Sequence, residues 1–242
     1  MNVKRILVLA CAVSVIAFNV QAEEGKWSDE AELSYVETRG NSLVSTFSAK
    51  NLFKYKFTEK IDGAWKIAAL NSKSEGTRSA ENYSTEARAN YSITERFYAS
   101  AIGGWLKDNY SGIDARYYAG PAAGYKVLLG PEHFLHGEGG LDYVMEDYRD
   151  GTDSNYLRGR LFSAYEYHFN KKNKFSQSLE YLYDFDNSEN YNAISITAVT
   201  SSVNDYMSLK ASYEIRYDNV PVPASLEDKD TIFSVALVFN FN

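Results

Sequence analysis

The 242 residues contain a single cysteine, Cys11, and it lies inside the N-terminal apolar run 6–18. Lys4 and Arg5 precede that run and Val20-Gln21-Ala22 follows it, the pattern of an export signal cleaved before Glu23. A mature chain of residues 23–242 then has no cysteine, which excludes disulfides even in an oxidising compartment. Long apolar runs are also lacking. The signal's own run is too short to span a bilayer, and no later stretch reaches the roughly 18 apolar residues that a spanning helix needs, so the helical membrane class is excluded. Positive charge is scarce: 25 Lys and Arg stand against 32 Asp and Glu, a net charge of -7 that becomes -9 once Lys4 and Arg5 leave with the signal. Such an acid excess excludes nucleic acid as a general partner, because phosphate binding needs clustered Lys and Arg.

Aromatic residues and period-two patterning are abundant. Aromatics make up 15% of the chain, with 20 Tyr, 13 Phe and 3 Trp, rings suited to surfaces that are apolar at one end and wet at the other. In the closing stretch TIFSVALVFNFN, Phe233, Val235, Leu237, Phe239 and Phe241 share one face of a strand. Similar alternation recurs in twelve segments: 27–37, 42–57, 61–71, 82–93, 97–107, 115–128, 133–146, 156–169, 174–185, 190–200, 205–217 and 230–241.

A soluble sandwich also alternates, and three features separate it from a membrane barrel. Connectors from even to odd segments are short (TEK, TER, LGPE, NKKN, SSVN), whereas several from odd to even are longer (NSKSEGTRSAE, KDNYSGID, DYRDGTDSN, DNVPVPASLEDK). Apolar-face aromatics gather towards the two ends, with Tyr35, Trp105, Tyr117 and Tyr143 at the long-loop end and Phe57, Trp65, Tyr91 and Tyr125 at the other, as in interfacial girdles. Lys50, Lys54, Glu86, Arg88, Glu138, Asp142, Arg158, Arg160, Glu166, Glu180, Lys210, Glu214 and Arg216 all occupy the opposite face, where a wet lumen accommodates charges that a soluble core would bury at high cost. The expected fold is therefore all-β, a twelve-stranded antiparallel transmembrane barrel of the bacterial outer membrane with both termini periplasmic. Pro121 falls within a strand and calls for a bulge or an interrupted ladder there.

The first hairpin, through Trp27, Ala31-Glu32-Leu33-Ser34-Tyr35, Thr38 and Gly40-Asn41-Ser42, resembles the opening of the YdiY-like, salt-induced outer-membrane protein family of Gram-negative bacteria. The resemblance implies location, fold and a link to osmotic stress; it brings no catalytic residues with it.

Candidate chemistry centres on His136 and His168, on the seventh and eighth segments. Residues facing each other across an antiparallel hairpin have numbers of constant sum. His136 with His168 and Glu138 with Glu166 share the sum 304, which sets the four side chains together in the lumen. A metal-binding or proton-sensitive gate is one reading; ordinary polar lining is the other. A lipid hydrolase of the Ser-His type is a further alternative, but the histidines face inward and no G-x-S-x-G elbow occurs. Asp147, Asp150 and Asp153, and likewise Glu227, Asp228 and Asp230, read either as divalent-cation sites or as solvated acidic loops, without EF-hand spacing. No cofactor or resident metal is expected. The expected partners are outer-membrane lipid and lipopolysaccharide, and the barrel-assembly machinery through the C-terminal strand. The first segment starts directly after the signal, leaving no room for a plug. Twelve strands lie between the filled eight-stranded barrels and the open sixteen-stranded porins. The leading expectation is a narrow passive channel for small solutes, and the alternative is a closed structural barrel.

Overall fold

A computed structural model describes residues 26–38, 44–74, 77–109, 112–221 and 227–241. The signal at 1–22, the turn at Gly40 and Asn41, and Asn242 lie outside them. The described residues form twelve strands: β1 (Trp27–Thr38), β2 (Val44–Lys56), β3 (Ile61–Ser74), β4 (Thr77–Ser92), β5 (Phe97–Asp108), β6 (Ile113–Leu129), β7 (His133–Tyr148), β8 (Asp153–His168), β9 (Asn173–Asp184), β10 (Tyr191–Ser202), β11 (Met207–Asp218) and β12 (Lys229–Phe241). Each pairs antiparallel with its neighbours in sequence, and β1 pairs with β12, so the sheet closes into a barrel. Closure rests on the shortest ladder, Asp29–Leu33 against Leu237–Phe241, reinforced where Ser34 Oγ donates to the Val235 carbonyl at 2.8 Å.

Every ladder pairs residues whose numbers add to an even total over most of its length, as Trp27 with Tyr55, His133 with Tyr167 and Met207 with Phe239, and register shifts at Ser72/Lys73, Leu106/Asp108, Ile113/Ala115 and Lys126/Leu128 break the rule only near strand ends. One parity therefore shares one face around the barrel except beyond those shifts, where Ile113 is buried and Leu128 exposed. Odd positions face out: Leu161 is 62% exposed, and Tyr143, Trp65, Tyr125 and Phe233 are exposed with it. Even positions face in, where Val144 is fully buried and Asp142 is 2% exposed. So large a contiguous apolar exterior is unstable against water but favourable against hydrocarbon.

Several strands run further than the alternation indicates. The expected loop NSKSEGTRSAE is mostly strand, because β3 continues to Ser74 and β4 begins at Thr77 across a register shift at Ser72 and Lys73. The β7–β8 connection likewise shrinks to a tight turn: Asp147 pairs with Asp153, the Tyr148 amide donates to the Thr152 carbonyl at 2.8 Å, and Gly151 takes the positive φ of 86° that the turn demands. At Pro121 the β6–β7 ladder is interrupted between Ala119 and Ala122, while the register on either side is unchanged. Pro121 has no N–H to offer β7, which accounts for the gap.

Candidate functional site: the charged lumen

Small side chains are frequent on one part of the lumen wall. Strands β4 to β8 contribute long side chains, whereas the facing strands offer Ser48, Ala68, Ser178, Ala198, Ser212, Ser234 and Ala236. Hydroxyls on the small wall pair across neighbouring strands, as Thr46 with Ser72 at 2.9 Å and Ser212 with Ser234 at 2.8 Å.

At the heart of the belt is Glu138 on β7, whose side chain is 1% exposed. Arg88 on β4 donates to both its carboxylate oxygens at 2.5 and 3.0 Å, Arg160 on β8 donates at 3.1 Å, and the Tyr98 hydroxyl on β5 donates at 2.7 Å. Arg160 continues to Glu180 on β9 at 2.5 Å and lies over the Phe162 ring. Glu86 accepts from the Tyr118 hydroxyl at 2.9 Å and meets Lys66 at 3.5 Å. Asp142 holds Arg158 at 3.0 Å, and that guanidinium stacks 5.1 Å from the centre of the Tyr118 ring. Buried charges are tolerated only when paired and hydrogen-bonded, and this belt meets that condition over most of its length.

Glycines opposite the two tyrosines make this geometry possible. Tyr98 faces Gly124 and Tyr118 faces Gly104 across the β5–β6 ladder, and a Cβ on either glycine would overlap the ring lying over it. With the glycine present, each ring lies flat along the wall and its hydroxyl reaches a carboxylate two strands away. Gly124→Val is expected to displace Tyr98 from Glu138 and to lower stability by about 1–3 kcal/mol, the usual cost of overpacking, as measured by urea unfolding in lipid vesicles.

An ion pair crosses the barrel. Strands β5 and β11 stand opposite each other in the ring of twelve, yet Arg216 Nη1 lies 3.6 Å from Asp108 Oδ2. Arg216 also donates to Glu214 at 2.6 Å, and Glu214 lies 3.8 Å from Lys50 on β2. A chain of charges thus links three well-separated parts of the wall and closes down the lumen towards the long-loop end.

A cavity lies on either side of the belt. The one at the short-turn end, about 370 Å³, is lined by Lys54, Lys171, Lys172, Lys174 and Lys210 against Glu30 and Glu166. Its counterpart at the other end, about 340 Å³, is lined by Glu146, Asp184, Asp186 and Asp218 against Arg116. The lumen is therefore basic at one mouth and acidic at the other.

All thirteen charged positions expected in the lumen fall on its inner face, but the histidine arrangement is different. Because the β7–β8 turn is tight, His136 pairs with Ala164, Glu138 with Phe162 and Glu166 with Phe134, so the facing of His136 with His168 and of Glu138 with Glu166 does not occur. His136 sits between Phe134 and Phe162 with Nε2 3.9 Å from Glu138, and His168 lies at the short-turn mouth, 3.3 Å from Glu166. Among the described residues no group of three or more His, Cys, Asp or Glu has metal-binding geometry. Asp150 accepts from the Thr152 amide and hydroxyl at 2.9 and 2.6 Å, which holds its carboxyl below the usual range and shapes the turn. Asp108, Glu32, Tyr98, Tyr118 and the buried Arg116–Glu146 pair were not among the expected site residues, although the parity of their strands marks all of them as inward.

Residues 31–241 match the family model described as a protein of unknown function, DUF481. The chain belongs to this family. The uncharacterized protein YdiY of Escherichia coli (strain K12) is 24% identical over 206 residues, covering 85% of this chain and 80% of that one. Among solved structures, the translocator domain of the autotransporter NalP from Neisseria meningitidis is similar at TM-score 0.57, with 12% identity over 92% of this chain and 90% of that one. An outer membrane channel from Pseudomonas putida F1 matches at 0.55, with 10% identity over 90% and 96%. The NanC porin matches at 0.51, with 8% identity over 88% and 97%. At such identities the likeness is one of fold, and the fold that these DUF481 residues share is that of an outer-membrane β-barrel.

Proposed function

We propose that the protein is a narrow passive channel for ions and small polar solutes, with its termini and short turns on the periplasmic side. The supporting observation is the Arg216–Asp108 pair, which narrows the lumen between two polar cavities of opposite charge. Paired charges at a constriction form a wet, selective passage of the kind that an apolar filling would abolish. Two similar structures, the NanC porin and the outer membrane channel from Pseudomonas putida F1, support the same reading. The longest connection between strands, from Asp218 to Lys229, lies at the end away from the termini and supports the orientation, and the outward aromatics of β12 support its reading by the assembly machinery. Lipid and lipopolysaccharide are the partners that the apolar exterior suits. The link to osmotic adaptation is supported only by the resemblance of the first hairpin.

A closed structural barrel is the second reading, favoured by the near-complete burial of Glu138 and Asp142. Liposome swelling separates the two. The wild-type protein is expected to admit only the smallest of a graded series of amino acids and sugars, and Arg216→Ala to admit larger ones. If neither protein exceeds protein-free liposomes, the closed reading replaces the channel.

A further inference from the structure

The charges of the short-turn cavity are unevenly satisfied. Lys210 is held at 2.6 Å by Glu32, and Lys174 lies 3.5 Å from Glu166, which also serves His168. Lys54, Lys171 and Lys172 have no carboxylate at ion-pairing distance among the described residues. Elsewhere in the lumen Lys50 and Lys66 have such partners, so Lys54 departs from the rule by which this interior is built.

These three ammoniums and Lys174, which shares Glu166, line one cavity. Lys54 comes from β2 and Lys174 from β9, both at inward-facing positions, while Lys171 and Lys172 belong to the β8–β9 turn. That turn is fixed in place because the Asn170 side chain accepts from the Lys172 and Asn173 amides at 2.9 and 3.0 Å. Between these groups lie hydroxyls from Ser176, Thr200 and Ser202, which serve as neutral donors. A volume of about 370 Å³ falls within the size range of small-molecule sites and exceeds what a single inorganic phosphate fills.

We infer that the short-turn vestibule binds a small multivalent phosphate, either a free phosphorylated solute or inorganic pyrophosphate. Ammoniums on separate strands act as point charges for phosphate oxygens, and the flanking hydroxyls complete the shell. The same chemistry is offered by a phospholipid headgroup, which reaches Lys171 and Lys172 at the rim but not Lys54 inside the wall. This inference requires the barrel but not conduction, so its failure leaves the channel reading untouched and the reverse also holds.

The test is calorimetric titration of pyrophosphate into the protein refolded in zwitterionic micelles at low salt. The expected result is saturable one-to-one binding, weakened roughly tenfold by Lys54→Ala, partly restored by Lys54→Arg, and unchanged by Lys107→Ala at the opposite end. Heat-modifiable gel migration of each variant confirms that it is folded, so that a loss of binding reports on the site. Absence of saturable heat, or wild-type affinity in Lys54→Ala, overturns the inference. So does binding that disappears in Lys171→Ala/Lys172→Ala while surviving Lys54→Ala, or that phosphatidylglycerol added to the micelles competes away; either outcome assigns the rim to lipid headgroups.

Discussion

Replacing Glu138 with alanine is expected to lower the free energy of unfolding by about 3–5 kcal/mol, the cost of removing one partner from a buried charge network. Glu138 accepts from two arginines and a tyrosine that approach it from β4, β5 and β8. In its absence the Arg88 guanidinium loses both its bonds to a carboxylate, and Arg160 keeps only Glu180. The penalty comes mainly from the charges left behind, which are 14% and 7% exposed and gain little from water. Glu138→Gln retains oxygen and nitrogen at the same place and is expected to cost less, because hydrogen bonds survive where the charge does not. Equilibrium urea unfolding in lipid vesicles measures both. A Glu138→Ala barrel within about 0.5 kcal/mol of wild type, the usual range for surface changes, would mean that the belt contributes little to holding the walls together.

Leu161→Arg is expected to cost about 2–4 kcal/mol in a bilayer. Leu161 is midway along β8 and 62% exposed, so an arginine there has room and meets no steric obstacle. On the surface of a water-soluble sheet the change would be nearly neutral. In hydrocarbon the guanidinium must bend towards an interface or thin the bilayer, and the cost follows. Phe169→Arg, in the short turn beyond the end of β8, is expected to cost no more than about 1 kcal/mol. A cost that falls with distance from the middle of the strand identifies hydrocarbon as the solvent of this face. Equal and small effects at both positions contradict the membrane assignment.

Most of the lumen was legible in the sequence because parity holds along most of the length of β1 to β12. Once TIFSVALVFNFN places Phe233 and Phe241 outward, even positions are expected inward, which is how the thirteen charges were read; beyond the register shifts the rule fails, and Ile113 is buried while Leu128 is exposed. Two classes of feature escaped. Register across a hairpin depends on the number of residues in the turn, and the polar stretch DYRDGTDSN gives no sign that only Tyr148 to Thr152 turn while its flanks pair. That difference moved His136 away from His168. Contacts across the lumen, such as Arg216 with Asp108 or Arg88 with Glu138, depend on how strands three to six places apart come together when the sheet closes. Alternation shows which way a side chain points and is silent on what it meets. The same limit hid the tyrosine hydroxyls, since Tyr98 and Tyr118 read as inward aromatics long before Gly124 and Gly104 show why they lie flat.

In the proposed channel the paired charges form a constriction in a water-filled path. Single-channel recording of the refolded wild-type protein in a planar bilayer, at neutral pH and over a range of salt concentrations, tests it most directly. The predicted result is small, discrete conductance steps that scale with salt and grow when Arg216→Ala removes the crossing pair. Folded, inserted protein that stays silent in both forms would contradict the claim and leave a barrel closed by its own charges.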